Sequence, residues 1–196
     1  MKGASERGIG MIRRVLIGVA IGLSALGMAL PAQPPTFHVE RSIVVKAPAE
    51  AAYALVNDLH RWRAWSPFEE KDPNLARTYS GAPSGVGAVY AWAGNSDIGE
   101  GKMTIRQSDR AKFVGIELEF IKPLRATNTA SFTFTPLGDA TKVTWAMDGE
   151  NTSLGKVAHL FLDMDKMLGA EFEHGLQKLK ANAESTEFSV AAEASR

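Results

Sequence analysis

The hydrophobic period of the chain changes once, and this change limits the folds that are open to it. Between Phe37 and Gly149 most segments alternate apolar and polar residues, as half-buried β-strands do. From Ser153 to Ala183 apolar residues recur every three or four positions, which predicts an amphipathic helix of roughly eight turns. We therefore expect an antiparallel sheet whose hydrophobic face is covered by the C-terminal helix.

Six segments carry the strand pattern, and polar turns separate most of them. They are "TFHVERSIVVK", "GAVYAWAGN", "GEGKMTIRQSD", "KFVGIELEF", "ATNTASFTFTP" and "TKVTWAMDG". The dipeptide Gly94-Asn95 predicts a hairpin turn after the second segment. Between the first and second segments Pro48 begins a short predicted helix, because proline fits the first helical turn.

The charge balance and the absence of cysteine exclude several classes of function. The chain has 22 basic and 22 acidic residues, so it lacks the excess of Lys and Arg that binding to nucleic acid requires. We predict no nucleic-acid partner. Because the chain has no cysteine, disulfides, thiolate nucleophiles, iron–sulfur clusters and cysteine-ligated zinc are also excluded.

Residues 1–35 have the pattern of an export signal or membrane anchor, followed by a proline-rich linker. Arg13 and Arg14 precede the uncharged apolar run Val15–Leu30, and "PAQPP" then prevents a helix from continuing. A sixteen-residue helix is about 24 Å long, which is short of the roughly 30 Å hydrocarbon core of a bilayer. The sequence therefore leaves open whether this segment is cleaved as a signal or retained as an anchor.

The position of the basic residues predicts where the domain is found. By the positive-inside rule, the domain lies on the periplasmic face of a bacterial inner membrane, or is secreted if the signal is cleaved. "MIRRVLIGVAIG" is a complete signal by itself, so Met1 and Met11 are both possible starts. Residues 36–183 are predicted to form one domain, and residues 184–196 a disordered tail. The oligomeric state is not predicted.

The sequence lacks the motifs of common catalytic and cofactor sites. Its four histidines show no HExxH motif, no i/i+4 pair and no close spacing with carboxylates on one face, and there is no GxSxG motif. "GAPSGVGA" leads into a strand instead of opening a helix, so it predicts a turn and not a dinucleotide site. We predict no metal and no cofactor.

Several stretches resemble one known family. "VERSIVVKAPAEAAYALVNDLHRWRAWSPFEEKDP", "YSGAPSGVGAVYAWAGN", "IGEGKMTI" and "DMDKMLGAEFEHGLQKLK" are similar to the polyketide cyclase/dehydrase branch of the START/Bet v1-like superfamily, also called SRPBCC. The resemblance runs from about Phe37 to Ala183. It implies an α+β helix-grip fold, in which a curved seven-stranded antiparallel sheet wraps around the C-terminal helix and encloses an apolar cavity.

The resemblance also assigns a place to two closely spaced tryptophans. It implies that Trp62 and Trp65 belong to a second short helix that closes one side of the grip, and at this spacing they share a helical face. We expect Trp65 to point inward and Trp62 to lie nearer the rim. Ser66-Pro67 ends this helix, and the following "EEKDP", Glu69–Pro73, is predicted to be a solvated loop.

Large, adaptable side chains on the strands and the closing helix are the predicted cavity lining. They are Trp65, Trp92, Met103, Trp145, Met147, Phe161, Met164 and Leu168, with Asn95 as a polar member. Glu100, which has a glycine on each side, is a weak catalytic candidate, because a carboxyl group inside an apolar cavity can transfer protons. The alternative for Glu100 is an ion pair at a strand end, and Glu117 and Glu119 are expected to face solvent.

Three functions follow from these observations and from the resemblance. The first is the binding of a hydrophobic small molecule or lipid by an exported, membrane-tethered domain. The second is an enzyme of the cyclase or dehydratase type that uses a buried carboxylate, which requires two polar groups close together inside the cavity. The third is a non-catalytic protein-interaction module, which requires a packed interior and an exposed apolar patch.

Overall fold

The computed structural model describes residues 36–150 and 164–185. The strands are β1 (Thr36–Val45), β2 (Ala76–Gly81), β3 (Ala88–Ala93), β4 (Glu100–Asp109), β5 (Phe113–Lys122), β6 (Ala126–Leu137) and β7 (Ala140–Glu150). The helices are α1 (Ala49–Asn57) and α2 (Met164–Ala183), with two short 3₁₀ helices at Leu59–Ala64 and Pro67–Glu70.

The seven strands form one antiparallel sheet in the order β1-β7-β6-β5-β4-β3-β2. From β2 to β7 every strand pairs with the next one in the chain, and β1 pairs with β7. The pairing of β4 with β5 contains two register irregularities, and such bulges bend a sheet. The predicted antiparallel sheet with a C-terminal helix is confirmed.

Strand β2 is the one that the alternation of apolar residues did not identify. Its sequence, "ARTYSG", has no buried residue, and Tyr79 is its single aromatic side chain. A strand at the edge of a sheet has only one strand neighbour, so it needs fewer apolar side chains than a central strand. The resemblance to a known family supplied this seventh strand, whereas the sequence pattern did not.

Some predictions concern residues that the structure does not describe. These are the signal or anchor and linker at residues 1–35, residues 153–163 of the predicted long helix, and the tail from residue 186 onward. Within residues 36–150 and 164–185, no helix has the length and apolar character needed to cross a membrane.

Helix α2 packs on β1 and β7, at one edge of the sheet. Phe172, Leu176 and Leu179 are fully buried, as the three- and four-residue spacing predicted. The ring of Phe172 stacks on Trp145 of β7, with ring centroids 4.1 Å apart and planes 8° from parallel. This stack fixes the helix against the sheet.

Trp62 and Trp65 connect the first 3₁₀ helix to the end of α1. The indole nitrogen of Trp62 donates a hydrogen bond to the carbonyl of Val56 (2.9 Å), and that of Trp65 donates to the carbonyl of Leu55 (3.1 Å). Carbonyls in the last turn of a helix have no partner within the helix, so the two indoles satisfy them. Both rings also pack edge-on against Trp145 of the sheet.

Gly175 allows α2 to approach the sheet closely. A Cβ at this position would lie 2.7 Å from Cδ of Pro67 and 2.9 Å from Cζ3 of Trp145. We expect Gly175→Ala to lower the free energy of unfolding by about 1–2 kcal/mol, because a buried methyl group must displace both neighbours. In an unobstructed helix the same change stabilises by about 1 kcal/mol. Urea unfolding, monitored by circular dichroism, measures whether Gly175→Ala lowers or raises the free energy of unfolding.

A substitution on the exposed side of the same helix is the control. Gln177 is exposed, and Gln177→Ala should change the free energy of unfolding by no more than about 0.5 kcal/mol. A Gly175→Ala protein more stable than the wild type would contradict the close packing of α2 on Pro67 and Trp145.

Glu70 links the second 3₁₀ helix to α2 and makes stability depend on pH. Hydrogen bonds from Lys178 and then His174 lower the pKa of Glu70 from 4.5 to about 2. Because the pKa is lower in the folded chain, the ionised carboxylate of Glu70 stabilises the fold fully above pH 4.5. This stabilisation is lost as the pH falls toward 2. We expect the wild type to lose more stability across this interval than Glu70→Gln. Urea midpoints measured in steps from pH 5 to pH 2 test this, and parallel curves for the two proteins would contradict it.

Candidate functional site

A cavity of about 410 Å³ lies between the sheet and the helices that cover it. The largest group of lining residues comes from the inner face of the sheet: Phe37, Tyr90, Trp92, Met103, Ile116, Leu118, Phe120, Asn128, Ala130, Trp145 and Met147. Trp62, Ser66, Phe68 and Glu69 of the 3₁₀ region and Leu168 of α2 form the opposite wall. The surface of the cavity is therefore predominantly apolar.

The cavity opens at one end of the sheet. The remaining lining residues are Leu75, Asp97, Ile98, Leu124, Arg125, Ala126 and Glu150. Asp97, Arg125 and Glu150 are exposed, and Leu124 is 55% exposed. These residues lie in the β3–β4 and β5–β6 loops and at the end of β7, which the register places at the same end of the sheet. The opening thus combines apolar and charged side chains.

Five predicted cavity residues are brought together by the structure. Trp92, Met103, Trp145, Met147 and Leu168 all line the cavity. For the four residues on strands the alternation is the reason, because residues two apart point to the same face of a sheet, whereas Leu168 lies on α2. The indole ring of Trp92 lies over Gly101, where no Cβ would fit. This is the close approach that the glycines beside Glu100 indicated.

Two predicted cavity residues lie elsewhere. Trp65 is fully buried in the core between the rings of Phe132 and Trp145, and Trp62 lines the cavity in its place. Asn95 does not line the cavity because its side chain shapes the β3–β4 loop. Its Oδ1 accepts the backbone N–H of Asp97 (2.9 Å), and its Nδ2 donates to the carbonyl of Lys71 (3.2 Å).

Two further predicted residues cannot be placed in the cavity wall. Phe161 lies outside the described residues. Met164 is the first residue of α2, and its side chain is also outside what the structure describes.

The acidic residues that the sequence singled out are paired with basic side chains. Glu100 begins β4 and accepts a 2.8 Å hydrogen bond from Nζ of Lys122, so it occupies the strand-end ion pair that was its alternative role. It is not among the cavity-lining residues. Glu117 pairs with Arg106, and Glu119 pairs with Lys102, on the side of the sheet away from the cavity.

A polar network in the cavity wall was missed by the sequence analysis. Glu69, predicted to lie in a solvated loop, belongs to the second 3₁₀ helix, and its side chain is only 6% exposed. Its Oε1 accepts a 2.6 Å hydrogen bond from the hydroxyl of Tyr90, and its Oε2 accepts a 2.7 Å bond from Nε of Arg77. Tyr90 and Glu69 line the cavity, whereas Arg77 does not.

One signal for Tyr90 was present in the sequence. Tyr90 and Trp92 are two residues apart in β3, so the alternation that placed Trp92 inward places Tyr90 inward as well. No comparable signal existed for Glu69, because its two partners follow at positions 77 and 90 of the chain. An acidic residue in a polar stretch looks solvated until the fold supplies those partners.

The network holds a proton on Tyr90. Burial, and then the hydrogen bond to Glu69, raise the pKa of Tyr90 well above its ordinary value. The phenol therefore stays protonated and donates to the carboxylate. A protonated Tyr90 and the carboxylate of Glu69 form a polar patch on a predominantly apolar wall, and Arg77 balances the charge of this carboxylate from outside the cavity lining.

Residues 36–150 and 164–185 contain no group of three or more His, Asp or Glu side chains placed to hold a metal ion. His38 pairs with Asp148, His60 with Asp58, and His174 with Glu70. His159 lies outside the described residues.

Solved structures of proteins with low sequence identity have the same fold. Protein CV1439 from Chromobacterium violaceum is 14% identical, with a TM-score of 0.55 over 78% of this chain and 99% of that chain. The Zhui aromatase/cyclase from Streptomyces sp. R1128 is 18% identical, with a TM-score of 0.53 over 76% and 94%. Ara h 8.0201 is 10% identical, with a TM-score of 0.53 over 76% and 97%. At these identities the likeness establishes the fold alone.

No curated protein sequence matches this chain. The family model described as polyketide cyclase / dehydrase and lipid transport matches residues 36–184, which include every described strand and helix. The resemblance found in the sequence is thereby confirmed. This chain belongs to the polyketide cyclase / dehydrase and lipid transport family.

Proposed function

We propose that this protein binds a hydrophobic small molecule or lipid in the cavity between its sheet and its helices. The observation that carries the proposal is the apolar cavity of about 410 Å³, which is within the range of about 300–1,000 Å³ of small-molecule sites. Protein interiors are normally close-packed, so a volume of this size is not an ordinary packing defect.

Desolvation supplies most of the binding free energy in this proposal. An apolar molecule that leaves water for the cavity gains about 25 cal/mol for each Å² of apolar surface removed from water. Trp92, Met103 and Met147 provide polarisable, adaptable surface on the wall. The charged residues at the opening stay in contact with solvent, so a bound molecule need not bury them.

The alternative functions have less support. A catalytic role for Glu100 lacks structural support, because this carboxylate is paired with Lys122 outside the cavity wall. A protein-interaction module would have a packed interior, and the cavity does not fit that expectation. Binding requires neither a catalytic carboxylate nor a packed interior.

The proposal includes export and tethering to the bacterial inner membrane, with the domain on the periplasmic face. The support is the apolar run Val15–Leu30 behind Arg13 and Arg14. Strand β1 begins at Thr36, at the end of the sheet where the cavity opens. A tethered domain would meet membrane lipids at a high effective concentration.

Filling the cavity with a protein side chain should abolish binding. Ala130 of β6 is 4% exposed and lines the cavity, so Ala130→Phe places a benzyl group where a ligand would lie. We expect the amount of hydrophobic compound that co-purifies with the protein to fall at least tenfold, because the replacement ring occupies the volume the ligand needs. Native mass spectrometry of protein expressed in a lipid-rich host measures this amount.

Thr129→Phe is the matched control, since Thr129 precedes Ala130 on the same strand and is exposed. The control should retain the compound, and circular dichroism should show both variants folded. A wild-type protein that carries no compound, or an Ala130→Phe protein that carries as much as wild type, would contradict the proposal.

Tethering is tested by cell fractionation of the full chain. We expect the protein in the membrane fraction, resistant to a carbonate wash, with a mass that includes the apolar run Val15–Leu30. Ile21→Arg should move it out of that fraction, because an arginine in the middle of a membrane segment costs about 2.5–3.5 kcal/mol. A wild-type protein in the soluble periplasmic fraction, shortened at its N-terminus, would show a cleaved signal and contradict the tether.

A further inference from the structure

The polar patch formed by Glu69 and Tyr90 in the cavity wall offers hydrogen-bond acceptors but no free donor. Tyr90 has one proton, and it is donated to Oε1 of Glu69 at 2.6 Å. What these groups present to a ligand is the remaining lone pairs of the carboxylate and of the phenol oxygen. A ligand can therefore bond to this patch only by donating.

Arg77 neutralises Glu69 but is not available to a ligand. Its Nε and Nη2 both contact Oε2 of Glu69 at 2.7 Å, and its Nη1 donates to the carbonyl of Leu75 at 2.7 Å. The guanidinium is absent from the cavity lining and thus lies behind the carboxylate. The wall exposes the negative member of the ion pair and hides the positive one.

We propose that this patch selects an uncharged ligand with a hydroxyl group, which donates a hydrogen bond to Glu69 or Tyr90. A molecule whose polar group is a carboxylate is disfavoured at the same position, because it has no proton to donate and meets a buried negative charge. The inference rests on the proposed binding function and adds the class of ligand, which is an apolar alcohol or phenol.

Other polar groups of the cavity do not give the same selectivity. Ser66 and Asn128 also line the cavity, and both side chains can donate and accept, so they do not distinguish an alcohol from an acid. Arg125 lines the cavity at its opening, where it is exposed together with the carboxylates of Asp97 and Glu150. If a ligand instead placed its polar end against Arg125, the guanidinium would favour an acid over an alcohol, and the two carboxylates would oppose that preference.

Competition among three probes of equal chain length tests this selectivity. The full-length protein is incubated at pH 8 with dodecane, 1-dodecanol and dodecanoate, and native mass spectrometry counts each complex by its mass. We expect the alcohol to be bound at least tenfold more than the acid, since a hydrogen bond to a charged group contributes on the order of tenfold or more in affinity. Glu69→Gln should reduce this ratio toward one, because the amide keeps the shape of the carboxylate and removes its charge.

Glu117→Gln is the matched control, because Glu117 also pairs with an arginine but lies on the side of the sheet away from the cavity, so it should leave the alcohol-to-acid ratio unchanged. Arg125→Gln tests the alternative in which the polar end of the ligand lies at the opening. A wild-type preference for the acid, or a ratio that responds to Arg125→Gln and not to Glu69→Gln, would overturn the inference. Binding of dodecane shows whether only the hydroxyl selectivity is wrong or whether the proposed binding function is wrong as well. If dodecane binds to wild type and not to Ala130→Phe, the cavity binds apolar molecules whatever the ratio shows; if none of the three binds, both proposals fall.

Discussion

The stacking of Phe172 on Trp145 is the contact on which the rest of the structure depends. It fixes α2 over β7 and β1, at one edge of a seven-stranded sheet. A single helix cannot cover so wide a sheet, so the inner faces of β3 to β6 need another cover. Helix α1, which packs on β5 and β6, and the 3₁₀ region supply part of it. The cavity is the part of the sheet that the described helices leave uncovered. The cavity is thus a consequence of where the helix docks.

Features that depend on residues close together in the sequence could be predicted, and features that depend on residues far apart in the sequence could not. The hydrophobic period indicated the inward faces of the strands, and in the structure Trp92, Met103, Trp145 and Met147 lie in the cavity wall. The period says nothing about which of two neighbouring aromatic residues is sealed in the core. Trp65 was assigned to the cavity, although its indole reaches the carbonyl of Leu55 and its ring fills the core.

Polar residues were predicted less well because their environment is set by distant partners. The sequence predicts Asn95 in the cavity, yet its side-chain amide hydrogen-bonds to the backbone of its own loop and to the carbonyl of Lys71. Glu69 was assigned to solvent, yet Arg77 and Tyr90 make its burial tolerable. A buried carboxylate costs several kcal/mol unless it is paired, and only the fold shows that a pair exists.

The same network favours a binding site over a catalytic one. A general acid or base works best when its pKa lies near the working pH, so that the proton moves in both directions. Burial and the hydrogen bond to Glu69 raise the pKa of Tyr90, away from neutral pH, and this keeps the proton on the phenol. Glu69 is likewise committed to two hydrogen bonds. Groups held this firmly can orient a ligand without reacting with it, which is consistent with the proposed binding function.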